Sequence, residues 1–411
     1  MKQRVAITGI GAITPIGTGV EELWSGVRSG RSAVRTITRF DASRLSSQVA
    51  AEIDFDPLQY MAPKRARRLD RFSQFALVAA QMALDDAGLT PGELSCAGAG
   101  VYIGSALGGV AFGEEQHETF VRDGPNQVNP LIALSVFGGA ASSNIAIEFG
   151  LHGPSLGNGN SCAAGVIAIG EATRLIASGQ VPMMLAGGAE APLAPLTFGA
   201  FTMIRVLSTR NDEPATASRP FDKGRDGFVI AEGACVLLLE SVEHAEARGA
   251  QIYAEIAGYG TTMDAHHMTA PHPEGLHAAG AMTAAIRSAG LAPEAIDYVN
   301  AHGSSTVLND STECRAIRIA LGDEHAERIP VSGTKGLHGH ALGATGAMET
   351  AICALALERG HLPGTANMLE QDPACDLDVI PPAGRDAQVS TLLCNAFGFG
   401  GINASLVMTA P

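Results

Sequence analysis

Cys162 lies among small residues in the segment Asn160-Ser-Cys-Ala-Ala-Gly, and an amphipathic helical pattern follows it. A cysteine at a helix N-terminus lies at the positive end of the helix dipole, which stabilises the thiolate. The neighbouring glycine and alanine residues let a substrate and the backbone approach closely. Cys162 is therefore a candidate nucleophile, and the alternative is a small buried cysteine that fills a tight helix start.

Two histidines could act together with this cysteine. His302 follows a predicted strand and precedes a hydroxyl-rich turn, where an imidazole can point into a ligand crevice. His340 begins a helix rich in small residues, and Lys335 and Glu349 flank it at spacings that allow a charged network. His338 is expected to face solvent or to support the same turn. Taken singly, each histidine could instead be satisfied in a turn or belong to a solvated loop.

The segment Cys394-Asn-Ala-Phe-Gly-Phe-Gly-Gly-Ile-Asn-Ala predicts a strand that ends in a glycine turn. Glycines in such a turn leave the backbone free to present an N–H group to an anion. Phe397 and Phe399 on this loop could gate an apolar pocket. The alternative is a tight β-turn with two core aromatics.

The elements that must position these residues alternate along the chain. The predicted strands are Arg4–Thr8, Gly100–Ile103, Met183–Ala186, Cys235–Leu239, Tyr298–Asn300 and Leu392–Cys394. The predicted helices are Arg71–Ala87, Gly165–Ala177, Leu276–Ala289 and Thr345–Leu357. This alternation predicts an α/β fold. Because aromatic residues make up only 5% of the chain and glycine accounts for 49 residues, we expect closely packed layers of small side chains.

A weak internal repeat divides the chain into two similar halves. The same order of elements occurs twice: a strand that ends in a Gly turn, a helix that starts with small residues, and a second strand that ends in a Gly turn. The predicted halves are residues 1–250, which carry the cysteine, and residues 251–411, which carry the two histidines. Cys162 and His340 then occupy corresponding helix starts, which favours a shared site over separate structural roles.

Charge and cysteine content exclude several classes of protein. The chain has 27 basic and 42 acidic residues, a net charge of −15, which argues against general nucleic-acid binding. The seven cysteines include no CxxC pair, so neither a zinc site nor a disulfide framework is predicted, and free thiols suit a reducing compartment. The chain has no signal-peptide pattern and no membrane-length apolar run, so we expect a soluble, cytoplasmic protein that uses no membrane.

Taken together, these segments resemble the β-ketoacyl synthase family, within the thiolase-like superfamily, over essentially the whole chain. The resemblance rests on Gly153-Pro-Ser, Ser161-Cys-Ala-Ala-Gly, Asn300-Ala-His-Gly, Thr334-Lys with Gly339-His, and Asn395-Ala-Phe-Gly-Phe-Gly-Gly-Ile-Asn. The stretches similar to the elongating synthases, which include synthase II and the type II polyketide ketosynthases, are Leu207-Ser-Thr-Arg-Asn, Ser218-Arg-Pro-Phe-Asp-Lys and Arg225-Asp-Gly-Phe.

The resemblance implies a thiolase-like fold of five alternating layers, αβαβα, built from two pseudo-symmetric halves with mixed β-sheets. It also implies a role for each matching residue: Cys162 as nucleophile, His302 and His340 as the histidine pair, Lys335 as a supporting lysine, Glu349 as the acid linked to it, Phe399 as the gating aromatic, and the amides of Cys162 and Phe399 as the oxyanion hole. The implied substrate contacts are Thr269, Ser304 and Thr306 along a pantetheine arm and Leu107, Phe201 and Phe397 in the acyl pocket.

The activity implied by the resemblance is that of a β-ketoacyl-[acyl carrier protein] synthase. An acyl chain passes from a carrier's phosphopantetheine thiol to Cys162, and malonyl-carrier protein then loses CO₂ and extends the chain by two carbons. No metal or organic cofactor is implied, because the substrate carries its own electron sink. Ser304 and Val307 stand where Thr and Pro are common in the family, and Gly333 and Gly336-Leu-His also depart from it. These departures suggest a specialised substrate, in fatty-acid, polyketide or polyene synthesis.

The implied partners are an acyl carrier protein and a second ketosynthase-like subunit, in a homodimer or a heterodimer. Lys64, Arg68 and Arg71 are spaced to share one helical face, and with Arg205 they could steer an acidic carrier protein. The alternative is a solvated helix face paired with acidic neighbours.

Three other interpretations fit less well. A thiolase would use a second cysteine as base, but Cys394 lies in the wrong context and His340 would have no role. An initiating synthase would carry Asn at the position of His340. A chain-length-factor subunit would lack the nucleophile, although this chain could be the catalytic subunit in a heterodimer with such a partner.

Overall fold

The structure, a computed structural model, describes residues 3–411. Its strands are β1 (Val5–Thr14), β2 (Gly17–Thr18), β3 (Arg35–Thr36), β4 (Val49–Ala50), β5 (Gly100–Gly104), β6 (Ser155–Asn158), β7 (Met183–Glu190), β8 (Gly233–Ser241), β9 (Ala254–Met263), β10 (Tyr298–Asn300), β11 (Pro330–Ser332), β12 (His361–Leu362), β13 (Asp378–Val379), β14 (Arg385–Asp386), β15 (Thr391–Gly398) and β16 (Ile402–Thr409).

The α-helices connect these strands and cover their faces. They are α1 (Gly19–Ser29), α2 (Pro63–Ala66), α3 (Arg71–Ala87), α4 (Pro91–Cys96), α5 (Val110–Asp123), α6 (Ile132–Ser135), α7 (Ala140–Phe149), α8 (Ala164–Ala177), α9 (Pro195–Met203), α10 (Val242–Ala247), α11 (Leu276–Ala289), α12 (Val307–Leu321), α13 (Asp323–Ala326), α14 (Lys335–His338) and α15 (Thr345–Arg359). Among the helices of residues 3–411, none has the length and apolar content that crossing a lipid bilayer requires.

Two sets of five strands have the same spatial order. The first runs β6-β5-β7-β8-β1, and the second runs β11-β10-β15-β16-β9 with β13 added beside β11. Each set contains both parallel and antiparallel neighbours, such as β5 with β7 and β7 with β8. β1 and β9 pair antiparallel at Ala6↔Glu255 and Ile7↔Ala254, which joins the two sets edge to edge.

Helices form three layers around the two sets of strands. α3 and α7 cover the outer face of the first set, and α11 and α12 cover the outer face of the second. α8 and α15 pack against each other between the two sets. The predicted five-layered αβαβα arrangement is therefore confirmed.

Glycines in β1 and β9 explain how helices lie so close to the strands. A Cβ atom on Gly11 would lie 1.8 Å from the carbonyl oxygen of Ala79 in α3, and one on Gly260 would lie 2.2 Å from that of Ala281 in α11. No other residue fits without moving the helix, since packed interiors leave no free space. The same close contact occurs at the same place in both sets of strands, which adds to the repeat seen in the sequence.

The predicted helices agree closely with the structure, while the strands are longer than predicted. α3 and α11 have the predicted bounds, whereas β7 and β15 each extend several residues beyond theirs. β9 and β16 were not predicted, because their glycine, serine and threonine residues hide the apolar pattern.

The basic segment around residue 68 is not one continuous helix, contrary to the prediction. α2 ends at Ala66, and Asp70 has extended backbone angles (φ −75°, ψ 168°) before α3 begins at Arg71. The spacing of Lys64, Arg68 and Arg71 therefore does not place them on a shared helical face.

Candidate active site

Two matching 3₁₀ turns precede the central helices. Ser161–Ala163 leads into α8, and Leu342–Ala344 leads into α15. The first residue of each turn has a left-handed backbone, with φ 51° at Ser161 and 42° at Leu342. The helix starts therefore correspond as predicted, but the residue equivalent to Cys162 is Gly343, and His340 lies three residues earlier.

Cys162 lies in the first of these turns and is 6% exposed. The backbone amide of Phe399 lies near its sulfur and lowers the pKa of the thiol, and the Ser161 hydroxyl lies 3.7 Å from the same atom. The strand end that carries Phe399 can come this close because residue 398 is glycine: a Cβ atom on Gly398 would lie 3.1 Å from the Cys162 nitrogen. The turn thus places amide N–H groups beside the thiol.

The pKa of the Cys162 thiol is raised, which differs from the thiolate stabilisation that the sequence suggested. Burial raises this pKa, while the Ser161 hydroxyl, the Phe399 amide and the Lys335 charge all lower it. The buried Glu190 carboxylate adds to the upward shift. Because desolvation is the largest effect, the thiol is neutral at pH 7 in the resting protein.

His302 and His340 face the same space as Cys162. Their ring centroids are 5.3 Å apart and nearly perpendicular, at 79°. Burial lowers the pKa of both imidazoles well below the usual value, and the Lys335 ammonium lowers both further. Both rings are therefore neutral at pH 7. Nδ1 of His340 lies 3.0 Å from the Thr345 hydroxyl, which can donate to it and leave the proton on Nε2.

Lys335 and Glu349 form a buried ion pair behind the histidines. Nζ of Lys335 lies 2.7 Å from Oε1 of Glu349 and also donates to the main-chain carbonyl of His302. Burial raises the pKa of the Glu349 carboxyl, which the Lys335 charge opposes. The pair does not line the cavity. It fixes the backbone of His302 and places a positive charge beside both imidazoles.

His338 is buried, which excludes the solvent-facing alternative of the two that the sequence left open. Its Nε2 lies 3.0 Å from the Thr334 hydroxyl, and burial lowers its pKa to about 3. It lies on α14, all four residues of which are buried. The supporting role that the sequence allowed is compatible with this position.

Two site residues lie outside the predicted set. Glu313 accepts the backbone N–H groups of His302 and Gly303, each at 2.8 Å, and so orients the strand end that carries the histidine. Phe228 packs edge-on against His340 with 5.2 Å between ring centroids. The Arg225-Asp-Gly-Phe segment could have pointed to Phe228, whereas no local pattern links Glu313 to a histidine eleven residues earlier.

A cavity of about 220 Å³ connects these groups to the surface. Of the predicted site residues, it is lined by Cys162, Arg205, Thr269, His302, Ser304, Thr306, His340, Phe397 and Phe399. The hydroxyls of Ser304 and Thr306 lie 2.9 Å apart at its wall. The predicted thiol, imidazoles and arm-binding hydroxyls thus share one cavity.

Leu107 and Phe201 do not line this cavity but pack on the apolar cluster that contains Cys162. The Phe201 and Phe399 rings are stacked, with centroids 6.5 Å apart. Leu107 also lines a larger cleft of about 1160 Å³ on the other side of this cluster. An acyl chain on Cys162 would have to displace these apolar side chains to reach that cleft.

Arg71 is not free to bind a partner, unlike the other predicted docking residues. Its guanidinium makes two hydrogen bonds to the buried Glu232 carboxylate, at 2.7 and 2.8 Å, and lies over the Phe75 ring. These contacts serve the fold and argue against a docking role for Arg71. Lys64, Arg68 and Arg205 are exposed.

The arrangement can perform acyl transfer. A buried thiol with an amide donor can carry an acyl group as a thioester, and the same N–H groups can stabilise an oxyanion on the thioester carbonyl. Two neutral imidazoles in the same cavity can donate hydrogen bonds to a second carbonyl. In the described part of the chain, no cluster of three or more His, Cys, Asp or Glu side chains could hold a metal ion.

Comparisons with known proteins agree over the full chain. Family models described as the N-terminal and C-terminal domains of β-ketoacyl synthase match residues 2–245 and 253–369. The chain is 44% identical over 409 residues to the 3-oxoacyl-[acyl-carrier-protein] synthase 2 of Coxiella burnetii, with 99% of each chain covered.

Solved structures also match from end to end. The ishigamide ketosynthase/chain length factor is 37% identical, with a TM-score of 0.94 and both chains fully covered. A second match has 36% identity and a TM-score of 0.91, again with full coverage of both chains. It is a type II polyketide synthase acyl-carrier protein in complex with its ketosynthase bound to the hexaketide. This chain belongs to the β-ketoacyl synthase family and is a condensing acyltransferase.

Proposed function

We propose that this chain is an elongating β-ketoacyl-[acyl carrier protein] synthase that extends an acyl chain held on Cys162 by two carbons. The observation that carries the proposal is the shared cavity, in which a thiol with an amide donor faces two neutral imidazoles. The Coxiella burnetii relative is named a 3-oxoacyl-[acyl-carrier-protein] synthase, and the identity to that relative extends over 99% of the chain.

In the first half-reaction, Cys162 takes the acyl group from a carrier protein. Its sulfur attacks the carbonyl of the phosphopantetheine thioester, a C–S bond forms to Cys162, and the carrier thiol leaves with the proton. The amides of Cys162 and Phe399 stabilise the oxyanion of the tetrahedral intermediate, an effect of about 3–4 kcal/mol per donor. Thr269, Ser304 and Thr306 hold the pantetheine arm in the cavity.

In the second half-reaction, malonyl-carrier protein enters the emptied arm site. Nε2–H groups of His302 and His340 donate to its thioester carbonyl, which takes up the electron pair as the bond to the carboxylate breaks and CO₂ leaves. The resulting enolate attacks the acyl carbonyl on Cys162. The C–S bond then breaks, and the thiol regains a proton. The lowered pKa of both histidines suits donation from a neutral ring.

Lys335 and Glu349 act without touching substrate. Lys335 donates to the carbonyl of His302, and its charge adds to the effect of burial, which lowers the pKa of both imidazoles and keeps them neutral. Neither a metal nor an organic cofactor takes part, because the thioester carbonyl itself accepts the electrons released by decarboxylation. The described cysteines are all free, which suits the reducing cytoplasm where we expect the enzyme to act.

Intact-mass spectrometry tests the nucleophile directly. The wild-type chain, incubated with a mixed set of acyl-carrier proteins, should gain the mass of one acyl group. The Cys162→Ala variant should gain none, while Cys96→Ala, which removes an exposed thiol far from the cavity, should load like wild type. Loading that survives Cys162→Ala would contradict the assignment, and the masses that do load identify the preferred acyl groups.

A second candidate is the catalytic subunit of a heterodimer. The ishigamide structure pairs a ketosynthase with a chain length factor. In this chain, large apolar side chains are exposed between residues 120 and 156, on α5, α6, α7 and β6 and in the turn after α6: Phe120, Val121, Leu134, Phe137, Ile147 and Leu156. Such a surface is typical of a subunit interface.

Co-expression decides between the two assemblies. The chain is purified with and without a homologous subunit that lacks the nucleophilic cysteine, and native mass spectrometry gives the composition. A stable, condensing homodimer supports the first candidate. Activity that appears only in a one-to-one complex supports the second.

A further inference from the structure

The loop between β10 and α12 carries two hydroxyls proposed to hold the pantetheine arm. It lines the catalytic cavity through Ser304 and Thr306. Two of its residues have left-handed backbone angles, with φ 41° at Gly303 and 66° at Ser305. A non-glycine residue in this region needs support from its surroundings. The orientation of the Ser304 and Thr306 hydroxyls therefore depends on the contacts that hold the loop.

Arg225 lies beneath this loop and holds it by the main chain. Its Nε donates to the carbonyl of Thr306 at 3.0 Å, and a terminal nitrogen donates to that of Val307 at 3.1 Å. The other terminal nitrogen donates to the Asp372 carboxylate at 2.6 Å and to the Asp222 carbonyl at 2.9 Å. The Arg225 side chain is 1% exposed. One buried guanidinium thus joins the loop to two other segments.

The chain around Arg225 contacts the same loop at further points. The Gly227 amide donates to the Ser305 carbonyl at 3.1 Å, and the Arg219 amide donates to the Ser305 hydroxyl at 2.9 Å. The Asp310 carboxylate, in the first turn of α12, lies 3.6 Å from Arg225. The segment 219–227 and the loop are therefore held as one unit. Within this unit, Arg225 is the buried charged residue that bonds to the carbonyls of Thr306 and Val307.

We propose that Arg225 is a positioning residue for substrate binding: it fixes the carbonyls of Thr306 and Val307 and thereby aims the Ser304 and Thr306 hydroxyls at the phosphopantetheine arm. This inference rests on the proposed function. Arg225 does not line the cavity, so its effect on substrate is indirect, through the main chain that it holds.

The shape of the guanidinium matters as well as its charge. Its planar fork serves acceptors in several fixed directions, and an ammonium group cannot reproduce that pattern. Arg225→Lys keeps the positive charge beside Asp310 and Asp372, so the carboxylates remain neutralised. The substitution therefore separates the alignment of the loop from the charge that the fold requires.

Steady-state kinetics of the full-length Arg225→Lys variant test the proposal. The KM for malonyl-carrier protein should rise about tenfold, with kcat changed less than about threefold, because loss of alignment weakens arm binding more than the chemical step. Alkylation of Cys162 by iodoacetamide, which has no pantetheine arm, should proceed at the wild-type rate. A purely structural role would change the alkylation rate as well as raise the KM.

Arg248→Lys is the matched control. Arg248 also bonds to a buried carboxylate, Glu240, and to a main-chain carbonyl, that of Ala87 at 2.8 Å, but it lies away from the cavity. The KM of the Arg248→Lys variant for malonyl-carrier protein should equal that of wild type. A wild-type KM in Arg225→Lys would overturn the inference, as would an equal rise in both variants. A wild-type chain that fails to condense any substrate would instead overturn the proposed function, a distinguishable result.

Discussion

Opposing effects act on the Cys162 thiol, and their balance bears on how the reaction starts. Burial and the Glu190 carboxylate disfavour the thiolate, while the Phe399 amide, the Ser161 hydroxyl and the Lys335 charge favour it. The same amide that stabilises the thiolate is proposed to stabilise the oxyanion of the acyl intermediate. A neutral resting thiol with donors already in place is protected from oxidation, and it becomes a nucleophile as substrate arrives.

The pH dependence of Cys162 alkylation follows from this raised pKa. Iodoacetamide reacts with the thiolate, whose fraction grows as pH rises toward the pKa. Since the pKa lies above the usual value, the rate should rise about tenfold per pH unit from pH 6 to pH 8.5, without a plateau. Peptide mass spectrometry of the Cys162 peptide gives the rate, and N-acetylcysteine treated in parallel gives the reference. A plateau below pH 8 would contradict a buried, neutral thiol.

Residues with a local signature could be predicted from the sequence, and residues without one could not. Cys162, His302 and His340 lie in short segments with distinctive neighbours, and the structure brings them to one cavity. Glu313 has no such segment, because its link to His302 is made by helix α12 folding back on the strand end. The ion pair of Arg71 could not be predicted, since its buried partner, Glu232, lies 161 residues away in sequence.

At the scale of elements, close approach of helices to strands sets the position of the site. α3 and α11 rest on glycines of β1 and β9, so any added side chain there would push a whole layer outward. The helices could be predicted because their apolar period is regular. The strands β9 and β16 could not, because glycine, serine and threonine residues interrupt their apolar pattern.

Gly11→Ala should destabilise the protein strongly. The new methyl group would meet the Ala79 carbonyl oxygen at 1.8 Å, and we expect a loss of about 2–3 kcal/mol in the free energy of unfolding, as for other overpacked cores. Urea denaturation followed by circular dichroism measures it. Gly92→Ala, in α4 with no atom nearer than 3.9 Å, is the control and should be neutral or slightly stabilising. If the two variants have the same free energy of unfolding, α3 can shift to make room for the methyl group and the prediction is wrong.

At the scale of the whole molecule, two halves of one architecture supply different parts of the chemistry. The first supplies the thiol and the second supplies both histidines and the Phe399 amide, so neither half has a complete site. The position equivalent to Cys162 is Gly343, whose amide donates to the Glu190 carboxylate at 3.0 Å. A Cβ atom there would lie 2.5 Å from the Ala106 nitrogen, so the second half has no room for a nucleophile at this point.

With a net charge of −15 on the chain, we expect the proposed docking of an acyl carrier protein to depend on salt. An acidic carrier protein should be repelled by the net charge of the chain and attracted by exposed basic residues, for which we propose Lys64, Arg68 and Arg205. Arg68→Glu should therefore raise the KM for acyl-carrier protein about three- to tenfold at low salt, with kcat unchanged. The difference from wild type should shrink toward 0.5 M salt, where screening removes long-range attraction. Arg287→Glu makes the same change of charge on α11, away from the cavity, and should leave the KM at the wild-type value. If the two variants behave alike at low salt, the overall charge governs docking and Arg68 makes no local contribution to it.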